Sequence, residues 1–346
     1  MGQFNWWVDD VLGHRPEGTN HDDWWRDLHA VGASDMLKHD LLATTSRPLV
    51  SVRDKPHIVE VNVCSIRETL RIVGLFMRSR ECFAYAAGQV TLLIDGWSFY
   101  GRMTKAQLPR VWFRGKRWFD IRESKISQLR GSVIGRCRRA IEARDAIGVQ
   151  FYLRNDHRAE ETAQYHFDYL TLLLSGALDA VMHIANAVYE INEDDWNVGL
   201  WRKEFRKVMK QRAPAIAELL GRRDAKALRH LLAAPRNTIH SEQLRSITFS
   251  HQDSPSIGLI TLGQEIGHRA LDASRDVGGP GRWGIVEYPE IPIEPYAYST
   301  ALIETCFPLL CDLLELVEGQ LFGAALGADA MVDPEPDQLR RIELLS

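Results

Sequence analysis

Apolar residues recur at intervals of three and four across Arg158–Asn192, where Phe167, Leu170, Leu174, Ala177, Leu178, Val181, Ile184, Ala185 and Val188 share one face. That period is the mark of a helix burying a broad stripe. Tyr296–Leu321 repeats it with Leu302, Cys306, Leu309, Leu310, Leu313, Leu314 and Val317, which predicts a second long helix. Between the two, the pattern predicts shorter helices over Trp196–Gln211 and Asp224–Leu232. Pro214 opens a new segment, and Pro235 lies beyond the end of the last one, because proline suits a helix's first turn and disrupts its interior. Long helices enclosing shorter ones suit an up-and-down bundle.

Upstream the pattern is mixed. Ile58–Val63 alternates apolar and polar residues as a half-buried strand does, and Ser65–Met77 has helical spacing. Val90–Ile94 is a short apolar run that reads as a strand or as a buried helix end. The run Val111-Trp-Phe-Arg-Gly-Lys-Arg-Trp-Phe, turning at Gly115, predicts a hairpin that feeds a helix over Ser124–Arg144, with a linker over Asp145–Asp156. Leu259–Leu262 reads as a strand, and Gly278-Gly-Pro-Gly as an exposed or mobile loop. The expected fold is mainly α. A smaller α+β module occupies residues 1–150, a helical bundle 151–328 and an acidic tail 329–346.

Composition narrows the class. No run of eighteen apolar residues occurs, so no membrane span is expected. The first residues lack a basic stretch followed by an apolar one, and Trp6 breaks the myristoylation pattern. Five cysteines, Cys64, Cys82, Cys137, Cys306 and Cys311, are scattered without a CxxC pair, which predicts reduced thiols in a cytoplasmic protein and no zinc site. His14, His21, His29 and His39 have no partners at metal-ligand spacing, and no metal or cofactor is expected.

A net charge of -4 is too small to name a partner, so its distribution matters more. Arg102–Arg144 holds thirteen Lys and Arg residues against Asp120, Glu123 and Glu142. Arg114, Lys116, Arg117 and Trp118 lie in the aromatic hairpin, and Arg130, Arg138 and Arg139 on the helix after it. Such a segment can hold a phosphate backbone and stack unpaired bases. Equally, it can be a solvated helix face balanced by acids elsewhere. Trp6-Trp7 and Trp24-Trp25, flanked by aspartates, read either as amphipathic helices covering the core or as a surface for a protein partner.

The strong cofactor and hydrolase signatures are missing: no GxxxxGK[ST], GxGxxG, HExxH or GxSxG occurs. What stands out is Pro235-Arg-Asn-Thr-Ile-His-Ser-Glu. On a helix, Arg236 and His240 share one face. A guanidinium binds phosphate and an imidazole accepts a proton from a hydroxyl, the minimum needed to cut RNA through its own 2′-OH without metal. The same residues can instead form a structural polar pair, with Arg236 bonded to Glu242 or another acid. His183 in the long apolar helix reads as a core histidine. Asp179, near the same face, could orient a site residue or be a buried hydrogen-bonded acid.

With this motif after a long helix rich in small and apolar residues, and before another apolar helix, the chain resembles the HEPN superfamily over roughly residues 155–325. Arg236, Asn237 and His240 match that family's Arg, polar and His positions in order, although the Arg–His gap is one residue shorter than usual. The resemblance implies a metal-independent endoribonuclease of toxin or phage-defence type, acting on RNA as a homodimer whose sites lie at the dimer interface. His240 would serve as general acid or base, Arg236 would stabilise phosphate charge and Asn237 would orient the pair. The alternative is a non-catalytic dimerisation or interaction scaffold built on the same bundle.

Overall fold

The computed structural model describes residues 20, 23, 42–47, 63–87, 90–109, 124–153, 157–241, 244–249, 257–287 and 291–322. Among them the protein is mainly helical, with a few short strands. It divides into two compact units, one of residues 1–80 with 251–254 and 343–346, the other of residues 81–250 and 255–342.

In the first unit, β1 (Leu42–Thr44) pairs in parallel with β2 (Val63–Ser65), which runs directly into α1 (Ile66–Ser79). Ser65 caps that helix reciprocally. Its hydroxyl accepts the Glu68 N–H at 3.2 Å, and the Glu68 carboxylate accepts the Ser65 N–H at 3.1 Å.

The second unit opens with an antiparallel pair, β3 (Phe83–Ala87) and β4 (Val90–Ile94), so the ambiguous apolar run is a strand. α2 (Gly96–Gln107) follows, its first turn capped by Asp95, whose carboxylate accepts the Ser98 N–H at 2.9 Å. Two long helices, α3 (Lys125–Leu153) and α4 (His157–Val188), pack along much of their lengths. α3 extends as far as Leu153 into the stretch read as a linker, because buried Ala143 and Ile147 continue the apolar face that Val133, Cys137 and Ile141 begin; residues 154–156 lie outside the described residues.

Next come α5 (Lys203–Arg212), α6 (Pro214–Gly221) and α7 (Arg223–Ser241). Strands β5 (Arg245–Phe249), β6 (Ile257–Thr261) and β7 (Pro292–Ile293) form an antiparallel sheet that brackets α8 (Gln264–Arg275). The closing helix α9 (Pro295–Phe322) lies against α3, α4 and α7.

Three expectations change at the element level. Residues 189–202 are irregular rather than helical from Trp196 onward. The Asn186 side chain donates to the Glu193 carbonyl at 2.9 Å and accepts the Glu193 N–H at 3.1 Å, clamping the chain as it leaves α4. Ile191, Val198 and Leu200 then tuck it against the core. Gly278–Gly281 is exposed at Gly278 and Gly281, as one of the two readings has it, but the run is anchored at its end. It leads into a 3-10 turn (Pro280–Trp283) whose indole is fully buried, donates to the Val277 carbonyl at 3.0 Å and packs edge-on against Tyr298.

The third change concerns α7, which does not stop before Pro235 but continues through it to Ser241. Proline has no N–H to give the carbonyl four residues back. That carbonyl, on Leu231, accepts instead from the buried Tyr298 hydroxyl at 2.7 Å. By length and composition, Arg158–Val188 is apolar enough to cross a membrane, but 61% of its most apolar window is buried inside the protein.

Candidate functional site

Continuation of α7 through Pro235 puts the whole Arg236–His240 motif on one helix, so Arg236 and His240 fall one turn apart on a shared face. The Arg236 guanidinium lies 5.4 Å from the Trp201 ring centroid, at the end of the irregular 189–202 segment. Trp201 follows Leu200, whose N–H is accepted by Oδ1 of Asp179 on α4 at 3.1 Å, which ties that segment to the bundle. The crossing is tight at Gly199, where a Cβ would come 3.2 Å from Asp179 Oδ1.

Burial pushes the Asp179 carboxyl above its ordinary pKa. The Leu200 N–H opposes that rise, as do the positive charges of Arg236, His183 and Arg136. The Asp179 carboxylate thus joins α4 to the 189–202 segment and feels the charges of Arg136 on α3 and Arg236 on α7. Arg136 of α3 donates to the Gly176 carbonyl at 3.2 Å and to Ser132 at 2.8 Å. It passes close over Gly176, where a Cβ would meet Arg136 Nε at 3.0 Å.

At the rim, His183 is not sealed in the core. Its side chain is 25% exposed, with Nδ1 3.4 Å from Asp195 Oδ1. Lys125 lies 3.0 Å from the other carboxylate oxygen, and its bond and charge hold the Asp195 carboxyl below the usual range. Trp196, beside it, is 71% exposed.

The remaining candidates are dispersed. Asn237 lies on an exposed side of α7. Arg130 points inward, only 11% exposed and 4.0 Å from the buried Glu318 carboxylate. Arg138 stacks 5.0 Å over the exposed Trp97 ring, and Arg139 is exposed with Nε bonded to the Gly135 carbonyl. Arg114, Lys116, Arg117 and Trp118 lie outside the described residues, as do Trp6, Trp7, Trp24 and Trp25. Among the described residues no group of His, Cys, Asp and Glu could hold a metal ion.

Sequence reasoning did not find Trp201, Asp195 or Arg136. Only the proximity of Asp179 to His183 on one helical face hinted that this stretch of α4 serves the motif. No family model, curated protein or solved structure matches the chain.

Proposed function

We propose that the protein is a metal-independent endoribonuclease that cuts RNA by attack of the 2′-OH on the adjacent phosphate, on a HEPN-like bundle acting as a cytoplasmic homodimer. The observation that carries this reading is the setting of Arg236. Its guanidinium lies over the Trp201 ring, near enough to the part-buried Asp179 carboxylate to act on it through charge, and it shares one helix face with His240.

In this reading Arg236 binds a non-bridging phosphate oxygen and stabilises the charge that develops there. His240 takes the 2′-OH proton or delivers one to the leaving 5′ oxygen. Asn237 orients the phosphate, and Asp179 keeps the guanidinium from swinging away. The products are a 2′,3′-cyclic phosphate and a free 5′-OH. A toxin or phage-defence role follows from the HEPN resemblance.

The competing reading is a scaffold in which Arg236, Trp201 and Asp179 only lock α7 to α4, and it draws on the same contacts. Cleavage of total RNA in excess EDTA separates the two. Wild type should cut, while Arg236→Ala and His240→Ala should fall by roughly a hundred-fold or more in rate at unchanged melting temperature. A folded wild-type dimer that leaves RNA intact, or variants reduced only in stability, would favour the scaffold.

A further inference from the structure

Attack by the 2′-OH needs two proton transfers. A base takes the hydroxyl proton, and an acid protonates the leaving 5′ oxygen. One imidazole cannot do both in a single step, and the Arg236–His240 motif holds one histidine. A second lies on the neighbouring helix. α4 and α7 pack together, and His183 follows Asp179 by one turn of α4, about 6 Å along the axis.

The 189–202 segment links this histidine to Arg236 through direct contacts. Asp195 Oδ1 lies 3.4 Å from His183 Nδ1. Further along, the Leu200 N–H reaches Asp179 Oδ1 at 3.1 Å. The next residue, Trp201, has the Arg236 guanidinium 5.4 Å from its ring centroid. One short stretch of chain thus meets His183, Asp179 and Arg236 in succession.

The His183 imidazole is arranged for proton transfer. A carboxylate at Nδ1 fixes the ring and stabilises its protonated form. Lys125, the first residue of α3, donates to both Asp195 oxygens, at 3.0 and 3.3 Å, and holds that carboxylate in place. Nε2 makes no hydrogen bond among the described residues and is not one of their buried unpartnered atoms, so it can be reached from outside. Both Asp195 and Lys125 are well exposed, and an ion pair in that setting contributes little to stability. We propose that His183 is the general acid of the cleavage, oriented by Asp195, and that His240 is the base. Protonated His183 gives its Nε2 proton to the 5′ oxygen as the bond from phosphorus to that oxygen breaks. His240 takes the 2′-OH proton as the new bond from phosphorus to the 2′ oxygen forms, while Arg236 holds a non-bridging oxygen. The two histidines exchange protonation states, and proton exchange with water resets them. This rests on the ribonuclease reading and completes the same site.

The test is cleavage in EDTA of one RNA oligonucleotide made in two forms, with oxygen or with sulfur as the 5′ bridging atom at the cut. A thiolate is a far weaker base than an alkoxide and leaves without a proton, so an acid is not needed there. His183→Ala should cut the oxygen form roughly a hundred-fold or more slowly than wild type. On the sulfur form it should return close to the wild-type rate. Asp195→Ala, which removes the positioning carboxylate, should lose less and be restored in the same way. His240→Ala should stay slow on both forms. Melting temperatures of the His183 and Asp195 variants should stay at the wild-type value; a purely structural pair would lower them and slow both forms alike.

A wild-type rate for His183→Ala on the oxygen form would overturn the proposal, as would a loss that sulfur does not restore. Either result leaves the ribonuclease reading in place. Rescue of His240→Ala by sulfur would make His240 the acid and overturn the assignment as well. A folded wild type that cuts neither form would remove this proposal and the ribonuclease reading together.

Discussion

Arg236 sits over an indole and within reach of the Asp179 charge, and the two act differently on it. The ring contributes stacking and cation–π attraction without consuming hydrogen-bond donors, leaving the guanidinium fork to bind an anion. Asp179 supplies a directional charge from a part-buried position. Asp179→Asn keeps an acceptor for the Leu200 N–H but removes that charge, and cleavage should fall roughly ten- to hundred-fold with little change in stability. A melting temperature lowered by many degrees at unchanged activity would assign Asp179 to structure alone.

A second residue-scale effect belongs to Asp168 of α4. Burial pushes its carboxyl up to about 6, and its buried Oδ1 has no hydrogen-bond partner. Its folded pKa therefore exceeds the unfolded value of about 3.9. The folded state favours the protonated acid, a stabilisation fully present below about pH 4 and lost as pH rises through about 6. Asp168→Asn should match wild type in thermal stability near pH 4 and exceed it at pH 7. Melting curves at the two values check this, and a gap that does not change with pH would contradict it.

At the scale of elements, α7 shows how a sequence signal can be sound in kind and misplaced in effect. Pro235 cannot donate to the Leu231 carbonyl, and from the sequence alone that ends a helix. Tyr298, sixty-three positions later, supplies the missing donor, and no local pattern can reveal a partner so distant. Tyr298→Phe should leave a buried carbonyl unsatisfied and cost about 1–3 kcal/mol. Pro235→Ala in that background should recover part of the loss by restoring the helical N–H. A double-mutant cycle measured by urea denaturation tests the coupling, and strictly additive effects would refute it.

Elsewhere in α3, adjacent Arg144 and Asp145 are both buried, with Nη2 2.7 Å from Oδ1. Burial alone would lower the Arg144 pKa, but the neighbouring carboxylate more than offsets it and keeps the guanidinium charged. Asp145→Asn should destabilise by roughly 3–5 kcal/mol, because an uncompensated charge remains inside. A change under about 1 kcal/mol in denaturant titration would show that Arg144 has other support.

For the molecule as a whole, the long apolar helices and their core faces were legible because burial repeats with the helical period, and α4 and α9 follow it almost residue for residue. The motif was legible as three residue types in order. Of its surroundings only Asp179 was legible, from its place near the His183 face of α4; Trp201 and Arg136 belong to two other segments, and their spacing in sequence from the motif carries no period. The anchored turn at Gly278–Gly281 misled for a related reason: Trp283 converts a flexible composition into a fixed corner by entering a distant part of the core.

Intramolecular attack by the ribose hydroxyl is the central claim about this protein. It is tested most directly with one defined RNA oligonucleotide that the wild type cuts in EDTA, synthesised again with a single 2′-deoxy sugar at the cut position. Mass spectrometry of the products should show a 2′,3′-cyclic phosphate from the all-ribose strand and no cut at the substituted position, with the cyclic product absent in Arg236→Ala and His240→Ala. Cutting at the deoxy position, or products ending in a 3′-OH and a 5′-phosphate, would contradict it.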